Sequence, residues 1–467
     1  MNDKKFRECN RDQMYLLPPS LKDWLPESHL AYFVLELVDH LDLSAIYASY
    51  RGDGRGQPPY DPAMMTSLLF YAYCVGLPSS RKIERCCEED VAFRVIAANQ
   101  RPDHDSICEF RKRHLSALAR LFLDVLKLCQ EAGLVKLGHV ALDGSKVKAN
   151  ASKHKAMSYG RMKEKEDELE RQIRELLELA DRVDAEEDGK FGKGFRGDEL
   201  PKELRRKEGR LKKIREAKAA LEGAARAEAE GKKREAEAKL AERERKVEES
   251  GKRPGGRQPE VPDPEKAEPE AKSQRNFTDP DSRIMKDGAT KSFEQCYNAQ
   301  AGVDGTAQVI VAAEVTQAAN DKEQLAPMVA AVESNTGAVP EVLTADAGYY
   351  SENNVKALAG KKIDGYLAVG RLKHGESPPP VDGDPGVELS VKEQMRRKLL
   401  TERGRSVYAK RKSVVEPVFG QIKQARGLRR FSLRGLENVS AEWKIWCLTH
   451  NVLKLFRSGW RPAPVFA

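Results

Sequence analysis

Residues 139–149, His-Val-Ala-Leu-Asp-Gly-Ser-Lys-Val-Lys-Ala, constrain this chain more than any other stretch. The short apolar run Val140, Ala141, Leu142 predicts a strand buried on both faces. It ends in an acid, Asp143, followed by Gly144. Lys146 and Lys148 then alternate with Ser145, Val147 and Ala149, the period of a half-exposed strand. A carboxylate at the end of a buried strand, with lysines just beyond, can hold a metal ion near a phosphate backbone. Asp-Gly is also a common turn pair. Taken alone, the stretch supports a plain turn, and other acids are needed to change that.

The rest of the chain sets the context. Its length of 467 residues allows two or three domains. The net charge is +8, the pI about 8.9 and the charged fraction 33%, so the surface is ionic and tilts basic. That balance fits a polyanionic partner. No early apolar stretch resembles a signal peptide, and no run is long enough to span a bilayer. We therefore expect a cytoplasmic protein without a membrane partner. The eight cysteines are scattered, and the adjacent pair Cys86–Cys87 lacks zinc-site spacing, so free thiols in a reducing compartment are expected.

Residues 1–130 lack strand-like alternation. Leu30, Phe33, Val34, Leu37, Val38 and Leu41 recur at helical spacing. A Gly/Pro loop over 51–62 precedes Pro62, which opens an all-apolar, buried helix to Val75. Short helices follow, with Ser79 or Ser80, Asp90, and Asp103 or Asp105 as caps. The last is basic, with Arg111, Lys112 and Arg113. Short helices joined by tight turns resemble a helix-turn-helix unit, although bundles with solvated basic faces share the pattern. His104 and His114 have no ligand-spaced partner and read as surface or capping residues. A further helix, 115–133, ends at Gly133.

After Asn150 the composition shifts to Glu, Lys, Arg and Ala. Leu169, Ile173, Leu176, Ala180 and Val183 form one narrow apolar stripe; Leu204, Leu211, Ile214 and Leu221 form another. A Gly-rich break, 189–197, lies between them. This predicts an antiparallel coiled-coil hairpin whose second helix runs on as a polar one. It serves either as a solvated spacer or in dimerisation or contact with DNA flanks. Residues 251–274, rich in Pro, Glu and Lys, are expected to be disordered.

From Tyr297 the pattern becomes β. Tyr297–Val303 and Gln308–Val315 predict a hairpin, with Asp304 explained by turn chemistry. A helix is expected over 321–334. Val342 to Asp346, followed by Ala347-Gly348-Tyr349, repeats the opening motif of a buried strand ending in Asp. Gly365–Gly370 is another short strand, 374–390 a loop and 391–403 a basic helix. In Tyr408-Ala-Lys-Arg-Lys-Ser-Val-Val-Glu416-Pro-Val-Phe-Gly-Gln-Ile-Lys423, Val415, Val418, Phe419 and Ile422 make one apolar helix face. Glu416, Gly420 and Lys423 then share a neighbouring face, which can meet a phosphate backbone closely. Ser413 and Glu416 also fit a capping box. Arg426, Arg429, Arg430 and Arg434 around Phe431 suit phosphate contacts with stacking. The last helix, 438–457, with Trp443 and Trp446, reads as core.

These pieces together are similar to one family. Asp143 in VALDGSKVKANAS, Asp346 in VLTADAGYYS and Glu416 in VVEPVFGQIK resemble the acidic triad of bacterial insertion-sequence DDE transposases. FTDPDSRIMKDG (277–288), YNAQAGVD (297–304) and the N-terminal stretch 59–114, ending PDHDSICEFRKRH, resemble segments of the same group. The resemblance covers nearly the whole chain except the charged insertion. The group often places a Tyr, an Arg, the Glu and a Lys at fixed spacing around the third acid. Glu416 to Lys423 fits. Arg411 stands one residue too far, Tyr408 is likewise displaced, and Lys412 occupies the place of the basic residue.

The resemblance implies an α/β fold: an RNase H-like mixed-sheet catalytic core, an all-α N-terminal domain and a helical coiled-coil insertion. It implies a DNA-binding domain over 1–133, a catalytic domain over 134–156 and 275–457, and the insertion with its linker over 157–274. Asp143, Asp346 and Glu416 would be the catalytic acids and the ligands of Mg²⁺ or Mn²⁺, for which hard carboxylate oxygens are suited. Tyr408, Arg411, Lys412, Lys423, Arg429, Arg430, Arg111, Lys112 and Arg113 would meet DNA. The partners would be the element's terminal inverted repeats and target DNA, bound by a homodimer or larger assembly in the bacterial cytoplasm, on the nucleoid. The implied activity is cleavage of the element ends and joining of the 3′-OH to target DNA by two-metal phosphoryl transfer. The alternatives are a transposase-derived DNA-binding protein without catalysis, and a metal nuclease without strand transfer.

Overall fold

The computed structural model describes residues 20–50, 58–191, 202–250, 258–286, 291–370 and 389–463. Parts of the expected loops at 51–62, 189–197 and 374–390 and of the linker at 251–274 lie outside these, as do the side chains of Ala180 and Val183. The chain divides into two compact units. One comprises Met1–Val147, Asn298–Ser432 and Glu437–Ala467; the other comprises Lys148–Tyr297 and Leu433–Leu436. The N-terminal residues thus fall in the same unit as residues 298–432. Among the described residues no helix is long and apolar enough to cross a membrane.

The first unit opens with helices α1 (Leu30–Val38), α2 (Ser44–Tyr47), α3 (Pro62–Cys74), α4 (Ser80–Glu89), α5 (Val91–Ile96), α6 (His104–Arg113) and α7 (Leu115–Glu131). Their starts follow side-chain capping. Asp61 accepts from the Met64 N–H at 2.8 Å with Pro62 in the first turn, Asp90 accepts from Ala92 at 2.8 Å, and Asp103 accepts from Ser106 at 2.6 Å. Ser79 precedes α4 without a capping bond. Helix α3 is buried almost all round, as its apolar sequence requires. It ends at Gly76, whose φ of +79° lets the chain turn; a Cβ there would lie 2.7 Å from the Arg426 carbonyl. His114 is not a surface residue: it is buried against Phe110 and its ring lies 3.2 Å from the Tyr50 hydroxyl. Strand β1 (His139–Lys148) follows.

The second unit holds β2 (Ala156–Ser158), α8 (Tyr159–Phe191), α9 (Lys202–Ser250), β3 (Gln274–Asn276), β4 (Arg283–Lys286) and the start of β5 (Phe293–Asp304). The two long helices are the expected antiparallel hairpin. Met162, Leu169, Leu211, Ile214 and Ala217 form its seam, with Ile173 and Leu221 against it. Arg215 and Lys218 pair with Glu166 at 3.0 and 2.8 Å, and the Tyr159 hydroxyl donates to Glu222 at 2.8 Å. Helix α8 continues to Phe191, into the Gly-rich stretch. The expectation of disorder over 251–274 does not hold for residues 258–274. The N–H groups of Tyr159 and Gly160 at the start of α8 need partners, and the carbonyls of Ser273 and Ala271 supply them at 2.8 and 3.1 Å. β3 then pairs antiparallel with β2, and β4 with the first residues of β5.

Back in the first unit, β5 continues and is joined by β6 (Ile310–Thr316), α10 (Leu325–Thr336), β7 (Val342–Ala345), α11 (Glu352–Gly360) and β8 (Asp364–Leu367). The strands lie in the order β6, β5, β1, β7, β8. β6 runs antiparallel to β5, whereas β1, β7 and β8 run parallel with Val140 opposite Leu343 and Leu343 opposite Gly365. This is a mixed sheet. Asp304 closes the hairpin as turn chemistry predicts, accepting from Thr306 at 2.8 Å, and it also takes the Leu137 N–H at 2.7 Å. The chain ends with α12 (Val391–Leu400), α13 (Glu402–Val414), α14 (Glu416–Gly420) and α15 (Leu436–Arg457).

Helix α15 joins the layers of this unit. Trp443 donates to the Gln300 carbonyl of β5 at 2.9 Å and stacks on Phe419 of α14 with centroids 5.9 Å apart. Asn451 pairs with both backbone groups of Ile310 in β6. On its other side Trp446 meets Tyr73 of α3 at 5.0 Å and Phe456 meets Phe33 of α1 at 5.5 Å. Trp443→Ala should therefore lower stability by about 3–5 kcal/mol, and Trp443→Phe should recover most of that loss. Thermal unfolding of the two variants checks this expectation.

Candidate active site

The two repeated strand motifs end side by side. β1 and β7 are parallel neighbours, with Leu142 opposite Ala345, so the next residues, Asp143 and Asp346, leave the same end of the sheet. Asp143 lies within β1, and its Oδ1 accepts from the Gly144 N–H at 2.9 Å. Asp346 caps a short 3-10 turn, Ala347–Tyr349, accepting from the Gly348 N–H at 2.8 Å. The turn expected at Asp143-Gly144 does not form, because β1 runs straight through it to Lys148, whereas Asp346 does cap a turn.

Glu416 arrives from another direction. Val415, Val418, Phe419 and Ile422 are all buried, as their spacing predicts, which turns Glu416 outward. The capping box with Ser413 does not form. Ser413 lies in the last turn of α13 and its hydroxyl donates to the Lys410 carbonyl at 2.8 Å, because α13 runs on to Val414. After Gly420 the helix loosens into a π-type turn, Gln421–Ala425. Lys423 in that turn reaches β1, donating to Ser145 Oγ at 2.8 Å and to the Lys146 carbonyl at 3.2 Å.

Arg411 of α13 spans the acids. Its guanidinium lies 3.7 Å from Asp143 and 3.4 Å from Glu416, and 5.8 Å from the centre of the Tyr408 ring. The Arg411 side chain is 12% exposed, Asp143 22% and Glu416 50%. Arg411, despite its unusual spacing, is therefore the cation within the acidic cluster, while Lys412 is exposed. Burial pushes the Asp143 carboxyl up to about 7; Arg411 and the Gly144 N–H oppose the rise, and the charges of Asp346 and Asp321 add to it. Burial likewise raises Tyr408, against the pull of Arg411.

Asp321 is an acid that sequence reasoning missed. The helix expected over 321–334 begins only at Leu325, which leaves Asp321 in the preceding turn. Asn298 and Gln300 of β5 donate to its Oδ1 at 2.7 and 2.6 Å. Two amides alternating in an otherwise buried strand were the available signal.

Other positions fall elsewhere. Arg111 is 7% exposed and donates to the Pro78 carbonyl at 2.7 Å, so it stabilises the helical layer from within. Lys112 is exposed; Arg113 is exposed too, bonds the Ser49 carbonyl and lies 4.8 Å over the Tyr50 ring. Arg429 and Arg430 are exposed, with Arg429 bonded to Gln424. Arg426 and Phe431 are buried, so neither joins the basic surface nor stacks on a base. Arg426 donates instead to Thr449 at 2.9 Å.

The donor chemistry suits a hard divalent cation, since every acid offers carboxylate oxygen. Among the described residues no three acidic, histidine or cysteine side chains stand together as a ready-formed cation cage. The guanidinium of Arg411 holds a positive charge between Asp143 and Glu416, facing each acid through a different nitrogen.

Comparison with known families bears on this geometry. Residues 19–113 match a family described as a transposase domain (DUF772), and residues 266–452 match one described as a transposase DDE domain. No curated protein and no solved structure matches the chain. The first match takes in α1 to α6; the second takes in Asp346, Arg411, Glu416 and Lys423. With both matches in this order, the chain belongs to the insertion-sequence DDE transposases.

Proposed function

We propose that this transposase cleaves the ends of an insertion sequence and joins the freed 3′-OH to target DNA on an RNase H-like core. The observation that carries the reading is the approach of Asp143 and Glu416 to one positive group, with Asp346 at the neighbouring strand end. The mixed sheet with its parallel β1, β7 and β8 supports the core assignment.

Asp143, Asp346 and Glu416 are the residues that would hold Mg²⁺ or Mn²⁺. Bound there, such ions would stabilise the attacking and leaving oxygens of an in-line displacement. Asp143 is set by a buried strand and is the least adjustable of the three. Glu416, half exposed on a helical turn, approaches from the side. Lys423, anchored on Ser145 of the strand that carries Asp143, would hold a phosphate oxygen. In the first reaction water attacks the phosphorus at the element end and the bond to the 3′ oxygen breaks. In the second that 3′ oxygen attacks a target phosphodiester, one P–O bond replacing another without an external energy source. Tyr408, Arg411, Lys412, Arg429, Arg430, Lys112 and Arg113 are assigned to the DNA backbone, and a homodimer or larger assembly would pair the two ends.

The protein, Mg²⁺, DNA carrying the inverted repeat that flanks its gene, and a target plasmid test this reading. Joined products are expected. Cutting without joining would mark a nuclease, and binding without cutting a DNA-binding derivative. Asp143→Ala, Asp346→Ala and Glu416→Ala should each abolish cleavage and leave end binding intact; cleavage surviving a change removes that residue from the set.

The raised Asp143 carboxyl gives a pH dependence. In the metal-free protein its neutral form is favoured on folding, so its contribution is complete below its ordinary value of 3.8 and is lost as pH rises through about 7. Wild-type stability measured against Asp143→Asn should thus fall between about pH 4 and pH 7 and then level off. Mn²⁺, which needs the ionised carboxylate, should bind more tightly over the same interval. Urea unfolding and Mn²⁺ titration across that range measure both.

A further inference from the structure

The three acids leave a polar network beside them unexplained. Asn298 and Gln300, two residues apart on β5, share one face of the strand. Both donate to Asp321 Oδ1, at 2.7 and 2.6 Å, and Asn298 also donates to the Ala318 carbonyl at 3.1 Å. The other end of the Gln300 amide accepts from the buried Tyr349 hydroxyl. Asn354 ties the same turn down, donating to the carbonyls of Tyr349 and Lys322, both at 2.7 Å.

The network touches both aspartate-bearing segments, strand β1 and the turn after Asp346. At β1 it presses on Gly144, where a Cβ would lie 2.6 Å from Asp321 Oδ1 and closer still to Gln300 Nε2. At the other turn, a Cβ on Gly348 would lie 3.0 Å from Asp346 Oδ1 and 3.2 Å from Asp321 Oδ2. Asp321 therefore bonds through one oxygen and sets the other beside the Asp346 turn. Both glycines leave the space that this approach needs.

A half-buried carboxylate with two amide donors is satisfied without a cation partner. Its bonds tie the Asp143 strand to the turn that follows Asp346. Partners of this kind, one bond removed from the ligands, orient ligands and set affinity. We propose that Asp321 is a positioning residue of the active site, which, pinned by Asn298 and Gln300, holds strand β1 at Gly144 and the turn at Gly348 so that Asp143 and Asp346 face one cation. The proposal rests on the function assigned above.

The test uses the metal-free full-length protein titrated with Mn²⁺, with end-DNA binding and thermal unfolding measured on the same preparations. Asp321→Ala should weaken Mn²⁺ binding about 10–100-fold while leaving end binding close to wild type, with the metal-free Tm lowered because the buried Gln300 amide loses its acceptor. Asp321→Asn keeps an oxygen that can accept both amide bonds, and it should recover most of the affinity. Wild-type Mn²⁺ affinity in Asp321→Ala overturns the proposal. So does an Asp321→Asn protein as weak as the alanine variant, which would mean that the charge itself acts. If Asp321→Ala does not fold, Gln300→Met, which removes the bonds to Asp321 and Tyr349 at similar volume, is read by the same criteria. A wild-type protein that neither binds Mn²⁺ nor cuts DNA would instead sink the functional reading.

Discussion

The acidic site depends on one charge, the guanidinium of Arg411. Placing Asp143 at the end of a buried strand removes much of its water, and two more aspartates stand nearby. Without a cation the carboxyl is pushed towards neutrality. Arg411 offsets this from 3.7 Å and reaches Glu416 at 3.4 Å with the same group. Both separations exceed a well-formed charge-assisted hydrogen bond, and Arg411 Nε is buried with no hydrogen-bond partner. The arrangement is a compromise in which one cation serves two acids and satisfies neither fully. A divalent ion bound by the same oxygens would compete directly with Arg411 and free it for the DNA backbone.

That charge arrangement needs a rigid support, which α15 supplies. Trp443 lies between Phe419, behind the Glu416 helix, and the backbone of Gln300, behind the Asp321 network. A single buried indole thus joins the element that carries the third acid to the strand that braces the first two. Because α15 also carries Trp446 and Phe456 against α3 and α1, the N-terminal helices share this core. A change in the packing of those helices would be transmitted to α15 and not absorbed by a flexible linker.

Much of this was legible in the sequence, for definite reasons. An uninterrupted apolar run ending in Asp marks a strand buried on both faces, and the two such runs became parallel neighbours. The apolar face of Val415, Val418, Phe419 and Ile422 gave the direction of Glu416, and the coiled-coil stripes gave the hairpin. What escaped was the environment of polar residues. Arg111, Arg426 and Phe431 look like surface groups because charge and clustering do not encode burial; each is instead enclosed by residues distant in sequence. The Ser413–Glu416 spacing fits a capping box, yet α13 continues through it. Asp321 was hidden by a helix expected four residues too early, and its partners Asn298 and Gln300 become meaningful only once β5 faces that turn. The spacing around Glu416 favoured Lys412, yet it is Arg411 that lies between Asp143 and Glu416 while Lys412 is exposed.

The three acids are held with unequal firmness, and the order has a physical logic. Asp143 is locked in the sheet, and Asp346 is fixed by its own capping bond to Gly348. Glu416 sits on a five-residue helix that passes into a π-type turn, where i→i+5 bonding leaves the backbone less constrained. An acid on such a segment can shift without disturbing the sheet. Lys423 belongs to the same turn and is anchored on β1 through Ser145 and Lys146, so it tethers the Glu416 segment to the Asp143 strand. A phosphate drawing Lys423 from Ser145 would loosen that tether and let Glu416 move relative to the aspartates. A phosphate bound at Lys423 would in this way be felt at Glu416.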